Sequence, residues 1–167
     1  QIAQAVSPRT KAIVLNSPCN PTGAMIDPET LAGIGELALR HRFWIVSDEI
    51  YERLTYGHAH RSAAALGAEV AAQTVTIGGV SKTYAMTGWR IGYAAAPAHV
   101  VSALCNFQDQ VTSNASSIAQ AAAAAAYDMP SDLVTTMRDE FRARRDLMVG
   151  LLREIPGLSC DTPEGAF

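Results

Sequence analysis

Cysteine is scarce in this sequence: three in 167 residues, at 19, 105 and 160. An odd number so widely spaced supplies neither a disulfide framework nor a Cys-X-X-Cys metal or redox site, and a reducing cytoplasm fits that usage best. Long apolar runs are missing too. Nothing approaches the ~18–20 residues that a membrane span needs, and the alanine run at 121–126 is too short and too weakly hydrophobic to count. No sign of charge dominates, since 13 Lys and Arg against 16 Asp and Glu leave a net charge of −3. That balance excludes a general attraction to nucleic acid or to anionic membranes. There is no initiator methionine and no signal peptide, and the sequence ends at Gly165-Ala166-Phe167, where a strand is expected to begin. It reads as a segment of something longer.

What is present is ample apolar material, 49% of residues, for one core. Short β-branched or apolar runs at Lys11–Asn16, Phe43–Ser47 and Gln73–Ile77 predict buried strands, and Arg90–Ala96 a fourth. Between the first two, Asp27-Pro28-Glu29 announces a helix running to about His41, with Leu31, Ile34, Leu37 and Ala38 as its apolar face. Residues 53–66 read as irregular. Helices are predicted over about 97–109, 116–127 and 131–154, the last with Leu133, Met137, Phe141, Leu147 and Leu151 among charges and stopped by Pro156-Gly157. Continuous apolar strands alternating with helices predict an α/β fold whose mostly parallel sheet is covered on both faces.

In such sheets ligands bind beyond the carboxyl ends of the strands. Polar residues stand there: Asn20 after the first strand, Asp48 and Tyr51 after the second, Lys82 after the third. Each has a plainer reading alone: Asn20 as a turn residue, Asp48 as a satisfied structural carboxylate, Tyr51 as a packed aromatic, Lys82 as a solvated turn. The run Gly79-Val80-Ser81-Lys82-Thr83-Tyr84-Ala85-Met86-Thr87-Gly88-Trp89-Arg90-Ile91-Gly92 argues otherwise. A lysine among small residues and glycines is poorly solvated and becomes usable as an amine nucleophile. Arg90 offers a planar fork suited to a phosphate.

Asn20-Pro21-Thr22-Gly23, Ser47-Asp48-Glu49-Ile50-Tyr51, the run from Ser81 to Tyr93 and Pro163-Glu164-Gly165-Ala166-Phe167 together resemble the pyridoxal-phosphate-dependent class I/II aminotransferases of fold type I. The wording is closest to the bacterial aspartate/aromatic subgroup, and the resemblance covers the whole chain. It implies a three-layer sandwich, with residues 1–130 as part of the large cofactor-binding domain and 131–167 as a connecting helix and the start of a small C-terminal domain. It implies transamination of an L-amino acid, aspartate or aromatic, with a 2-oxo acid. By resemblance Lys82 carries the cofactor as a Schiff base and moves the substrate's Cα proton, and Asp48 keeps the pyridine nitrogen protonated. Tyr51 and Asn20 hydrogen-bond the ring's phenolic oxygen, Asn20 also touches the substrate carboxylate, and Arg90 holds the phosphate, aided by Ser81 or by backbone N–H groups. The Asn-Pro bond is often cis in that family, so a cis Asn20–Pro21 bond is expected. Many relatives carry a serine three residues before the lysine, where this chain has Gly79, as the aspartate-type bacterial subgroup often does.

The resemblance also places the main phosphate-binding turn upstream of Gln1 and the arginine for the substrate α-carboxylate downstream of Phe167, so the isolated segment is expected to be inactive. It implies a homodimer, with Ser113-Asn114 either a loop approaching the neighbouring site or an ordinary helix-start turn. The alternatives are a C–S β-lyase with the same cofactor and a non-catalytic truncated remnant. Other features read as structural. His58-Ala59-His60 lacks a carboxylate or cysteine partner nearby and reads as a solvated loop, with no metal. Arg138, Arg142, Arg144 and Arg145 interleave with Asp139, Glu140 and Asp146 as a solvated helix face. Gly33-Ile34-Gly35 lies inside a helix and is no dinucleotide fingerprint, and the sequon at Asn114 is accidental without a secretory signal.

Overall fold

The β-branched runs pair side by side. In the computed structural model, which describes residues 1–167, β1 (Ala12–Asn16), β2 (Trp44–Asp48) and β3 (Thr74–Gly79) are parallel, and β4 (Gly92–Ala95) lies antiparallel beside β3. The strands stand in chain order, with Asn16 opposite Asp48 and Asp48 opposite Ile77. Three carboxyl ends therefore share one edge of the sheet. Because β4 runs the other way, its amino end comes to that same edge, with Gly92 opposite Gly79.

α1 (Ile2–Ala5) is a single turn. α2 (Pro28–His41) starts as its sequence dictates: Asp27 accepts from the Thr30 N–H at 2.8 Å and from the Thr30 hydroxyl at 2.6 Å, and Pro28 occupies the first turn. Those bonds hold the Asp27 carboxyl below its ordinary value. Leu31, Ile34 and Ala38 of α2 pack with Leu15, Phe43 and Ile45 from the sheet. A 3₁₀ turn at Ala63–Leu66 and α3 (Ala68–Ala71) complete this layer through Ala63 and Val70. So the last part of the stretch 53–66, residues 63–66, is not irregular; elements of four residues are too short to show a period.

α4 (Ala98–Val111) forms the layer on the other face, where Trp44, alternating with Ile45, sets its ring 5.9 Å from that of His99. This layer is thin. No residue of α4 is buried, and Val14 on β1 remains 73% exposed. α5 (Ser117–Tyr127), capped by Ser116, lays Ala119 and Ala123 against Val80 and Ile91 at either end of the lysine run. α6 (Ser131–Arg153) is the long helix expected, but its packed face differs from the one predicted. Val134 and Val149 are buried and Met137 and Phe141 partly so, whereas Leu133, Leu147 and Leu151 are exposed. The correct stripe has the same 3–4 spacing, but is carried by less conspicuous side chains. No helix is long and apolar enough to cross a membrane.

Phe43 sits 1% exposed at the centre of the larger cluster. Phe43→Ala should cost about 3–5 kcal/mol of unfolding free energy, read by urea denaturation, through lost transfer energy and the cavity left behind.

Candidate active site

The lysine loop is held at both ends by the core. β3 ends at Gly79, Val80 is fully buried against α5, and the chain then turns outward through Ser81 and Lys82 before Ile91 re-enters the same cluster. The alanines of α5 let that helix come close beneath the loop. The turn is not relaxed: Ala85 (φ 53°) and Arg90 (φ 55°) are both left-handed, a conformation that costs non-glycine residues energy and concentrates at functional sites.

Asp48, Ser81, Lys82 and Arg90 line one cleft of about 400 Å³, with Gly78 and Gly92 also in its wall. Tyr51 adjoins it, its ring centroid 5.7 Å from Lys82 Nζ, and Asn20 reaches it through an amide that donates to the Tyr51 hydroxyl at 2.9 Å. All six residues singled out in the sequence thus converge on one strand-end edge. The cleft's charges are largely unspent. Neither Lys82 nor Asp48 has an ion-pair partner; Asp48 accepts only the Ile50 N–H at 3.2 Å, and Arg90 donates only to the Thr87 carbonyl at 2.8 Å. The Asn20–Pro21 bond is cis as expected, and Ser17–Pro18 is cis as well.

Several contributors escaped the sequence reading. Asn16 positions Asn20, whose N–H donates to the Asn16 side chain at 3.0 Å. Phe167 stands over Lys82, its ring 4.6 Å from Nζ and 5.4 Å from the Tyr51 ring. It is held there because residues 163–167 thread between two loops. Glu164 and Gly165 N–H groups donate to the Gly23 carbonyl at 2.8 and 2.9 Å, and the Ala166 N–H donates to Leu54 at 2.9 Å. Gly23 (φ 70°) admits this crossing, since a Cβ there would collide with Pro163. Tyr56 donates its hydroxyl to the Ala166 carbonyl and lies under Arg145, 4.8 Å away; burial raises its phenol pKa while the Arg145 and Arg142 charges oppose the rise. Arg145 also donates to the Pro163 carbonyl at 2.8 Å, so the arginines of α6 are not all a solvated face. Arg138, Arg142 and Arg144 do pair with Asp139 and Glu140 along the helix.

The histidines divide. His58 is exposed, as a loop residue should be, but the His60 side chain is only 11% exposed and meets Glu49, itself buried, at 3.0 Å. Burial pushes the Glu49 carboxyl up, but hydrogen bonds from His60, Ser47 and Ser62 and the His60 charge prevail and hold it below its ordinary value. Gly79 also acquires a reason: a Cβ there would lie 2.9 Å from the Ile91 carbonyl and 3.0 Å from the Ile50 side chain. A serine would not fit without separating β3 from β4.

The family described as aminotransferase class I and II matches residues 1–167. An aspartate aminotransferase of Geobacillus stearothermophilus is 52% identical over all of this chain and 43% of its own length. An aspartate/prephenate aminotransferase of Cereibacter sphaeroides is 45% identical over all of this chain and 42% of its own. The crystal structure of an aspartate aminotransferase from Rhizobium meliloti superposes with a TM-score of 0.96 at 43% identity, covering 99% of this chain and 42% of that one. The chain thus spans less than half the length of the relatives it matches.

Gly79→Ser should destabilise the protein by about 1–3 kcal/mol, as overpacking does. Equal urea midpoints for the variant and its parent would contradict the crowding at this position. Glu49 has a depressed folded-state pKa, so its contribution to stability is complete above the ordinary carboxylate range and is lost as pH falls through the folded value. Glu49→Gln should remove that part of the acid sensitivity, giving a flatter dependence of unfolding free energy on pH between neutrality and acid.

Proposed function

The chain belongs to the class I and II aminotransferases, and from that membership we propose that the intact protein moves an amino group from an L-amino acid, aspartate or an aromatic one, to a 2-oxo acid, using pyridoxal phosphate. The single observation that carries this reading is the cleft where an unpaired amine, carboxylate and guanidinium meet: Lys82, Asp48 and Arg90. This donor set fits the cofactor. An amine suits its aldehyde, a carboxylate its ring nitrogen, and a guanidinium its phosphate. Relatives named for aspartate support that substrate, and the name of the Cereibacter enzyme supports a larger ring-bearing one.

Bound there, pyridoxal phosphate would supply a carbonyl for the amine and a positively charged ring that draws electrons from the substrate's Cα. The chain's own residues do the rest. Lys82 holds the cofactor and, once displaced, takes and returns the Cα proton as general base and acid. Asp48, with one carboxylate oxygen already oriented by Ile50, keeps a proton on the ring nitrogen by its negative charge. The Tyr51 hydroxyl accepts from Asn20 and so has its own proton to give to the phenolic oxygen. Asn20 can turn its amide to that oxygen or to the substrate carboxylate. Arg90 and Ser81 hold the phosphate, the guanidinium having N–H groups beyond the one spent on Thr87. Residues 1–130 belong in this reading to the cofactor-binding domain and 131–167 lead into a second, smaller one. The intact protein is a homodimer, to which the exposed Ser113-Asn114 loop contributes. Three free cysteines support a cytoplasmic location.

Borohydride treatment of the intact, cofactor-loaded protein, followed by peptide mass spectrometry, should fix the cofactor on Lys82 and nowhere else. Lys82→Ala should lose about 100- to 10,000-fold or more in turnover of aspartate with 2-oxoglutarate. Labelling at another lysine would refute the assignment, and pyruvate with ammonia from a cysteine conjugate would indicate the lyase instead.

A further inference from the structure

One buried polar cluster has no part in that chemistry, and we propose that it positions the residues that do: Glu49 and His60 form a couple that sets the orientation of Asp48 and Tyr51. The proposal rests on the functional reading above for what Asp48 and Tyr51 do, but its geometry stands by itself. Glu49 is 4% exposed, and its Oε1 accepts from the Ser47 hydroxyl at 2.8 Å, the Ser62 hydroxyl at 3.0 Å and the Ala63 N–H at 3.2 Å, while Oε2 meets His60 Nε2 at 3.0 Å. Four donors come close to saturating a carboxylate.

A buried charge is a poor means of gaining stability, because its desolvation consumes most of what its partners return, and its best-attested use is to select one arrangement among several. The place where this one sits says which arrangement. Strand alternation sends Ser47 and Glu49 to one face and Asp48 to the other. Clamping the Glu49 side chain therefore fixes the roll of the strand end about its own axis, and with it the direction of the Asp48 carboxylate. Main-chain bonds carry the constraint onward: Glu49 N–H to Ile77 at 2.8 Å, Glu52 N–H to Glu49 at 2.9 Å, and Leu54 N–H to Tyr51 at 2.8 Å. Three of the four clamping donors come from residues 60–63, at the end of the stretch 53–62 that has no helix and only an isolated bridge at Thr55. Glu52, Arg53 and Arg138 line a surface cavity beside His60, Arg138 being paired with Asp139, and the adjacent Arg61 is exposed.

The test uses the intact protein with Glu49→Gln, which keeps the size and removes the charge, His60→Leu, which removes the donor, and His60→Gln, which keeps one. With cofactor bound, the pH midpoint of its absorption change should move by about half a unit or more in Glu49→Gln and His60→Leu and return towards the parent value in His60→Gln. In cofactor-free protein labelled with ¹³Cζ-tyrosine, the Tyr51 resonance, assigned by its loss in Tyr51→Phe, should shift in the same two variants. An unchanged midpoint and an unchanged Tyr51 resonance, alongside a lowered melting temperature, would reduce the couple to scaffolding and overturn the proposal. If Glu49→Gln does not fold, His60→Leu decides the matter by the same readouts. Failure of the parent protein to take up cofactor would sink the functional reading alone, and the Tyr51 resonance would still decide the role of the pair.

Discussion

Everything at the site depends on strand register. Parallel pairing of β1, β2 and β3 sets Asn16, Asp48 and Ile77 in one row across the sheet, so the loops that follow emerge together. A slip of one residue would turn Asp48 into the face now filled by Ser47 and Glu49 and bring one of those two to the cleft in its place. The reversed β4 extends the same logic: only an antiparallel strand could return Arg90 to the edge that Lys82 has just left. The chain achieves this in fourteen residues, from Gly79 to Gly92, at the cost of two left-handed non-glycine residues.

Charge is managed differently on the two sides of that edge. On the α2 face the one carboxylate is fully engaged, Glu49 with four donors. On the cleft face Asp48 and Lys82 are left without ionic partners, and Lys82 is faced by aromatic rings instead. A ring face attracts an ammonium with about 0.5–2 kcal/mol, far less committing than a carboxylate at contact distance. The amine is steadied without being neutralised.

Much of this was legible in the residues. Strands with no polar interruption, Asp27-Pro28 as a helix start and the polar residues at strand ends each rest on local chemistry, and local chemistry survives folding. What escaped was non-local. Whether a helix stripe is carried by Val134 and Val149 or by Leu133 and Leu147 depends on what it meets, and the longer side chains drew the wrong assignment. His60 read as solvated because its partner lies eleven positions back, just past the end of a strand, and nothing in His-Ala-His says which ring turns inward. Phe167 lies 85 positions beyond the lysine it covers, a separation that no periodicity reports. The α4 face is thinner than continuous apolar strands imply, since periodicity states that a face is apolar and not how much of it this chain itself covers.

The threading of residues 163–167 has a consequence for how the site comes into being. Met25 donates its N–H to the Glu164 carboxylate at 3.2 Å, across 139 positions of sequence, and Gly23 accepts from the same crossing. Contacts of such span form only after the loop-closure entropy of a long intervening stretch has been met. The Phe167 ring beside Lys82 therefore depends on a crossing that the pairing of the strands does not itself require.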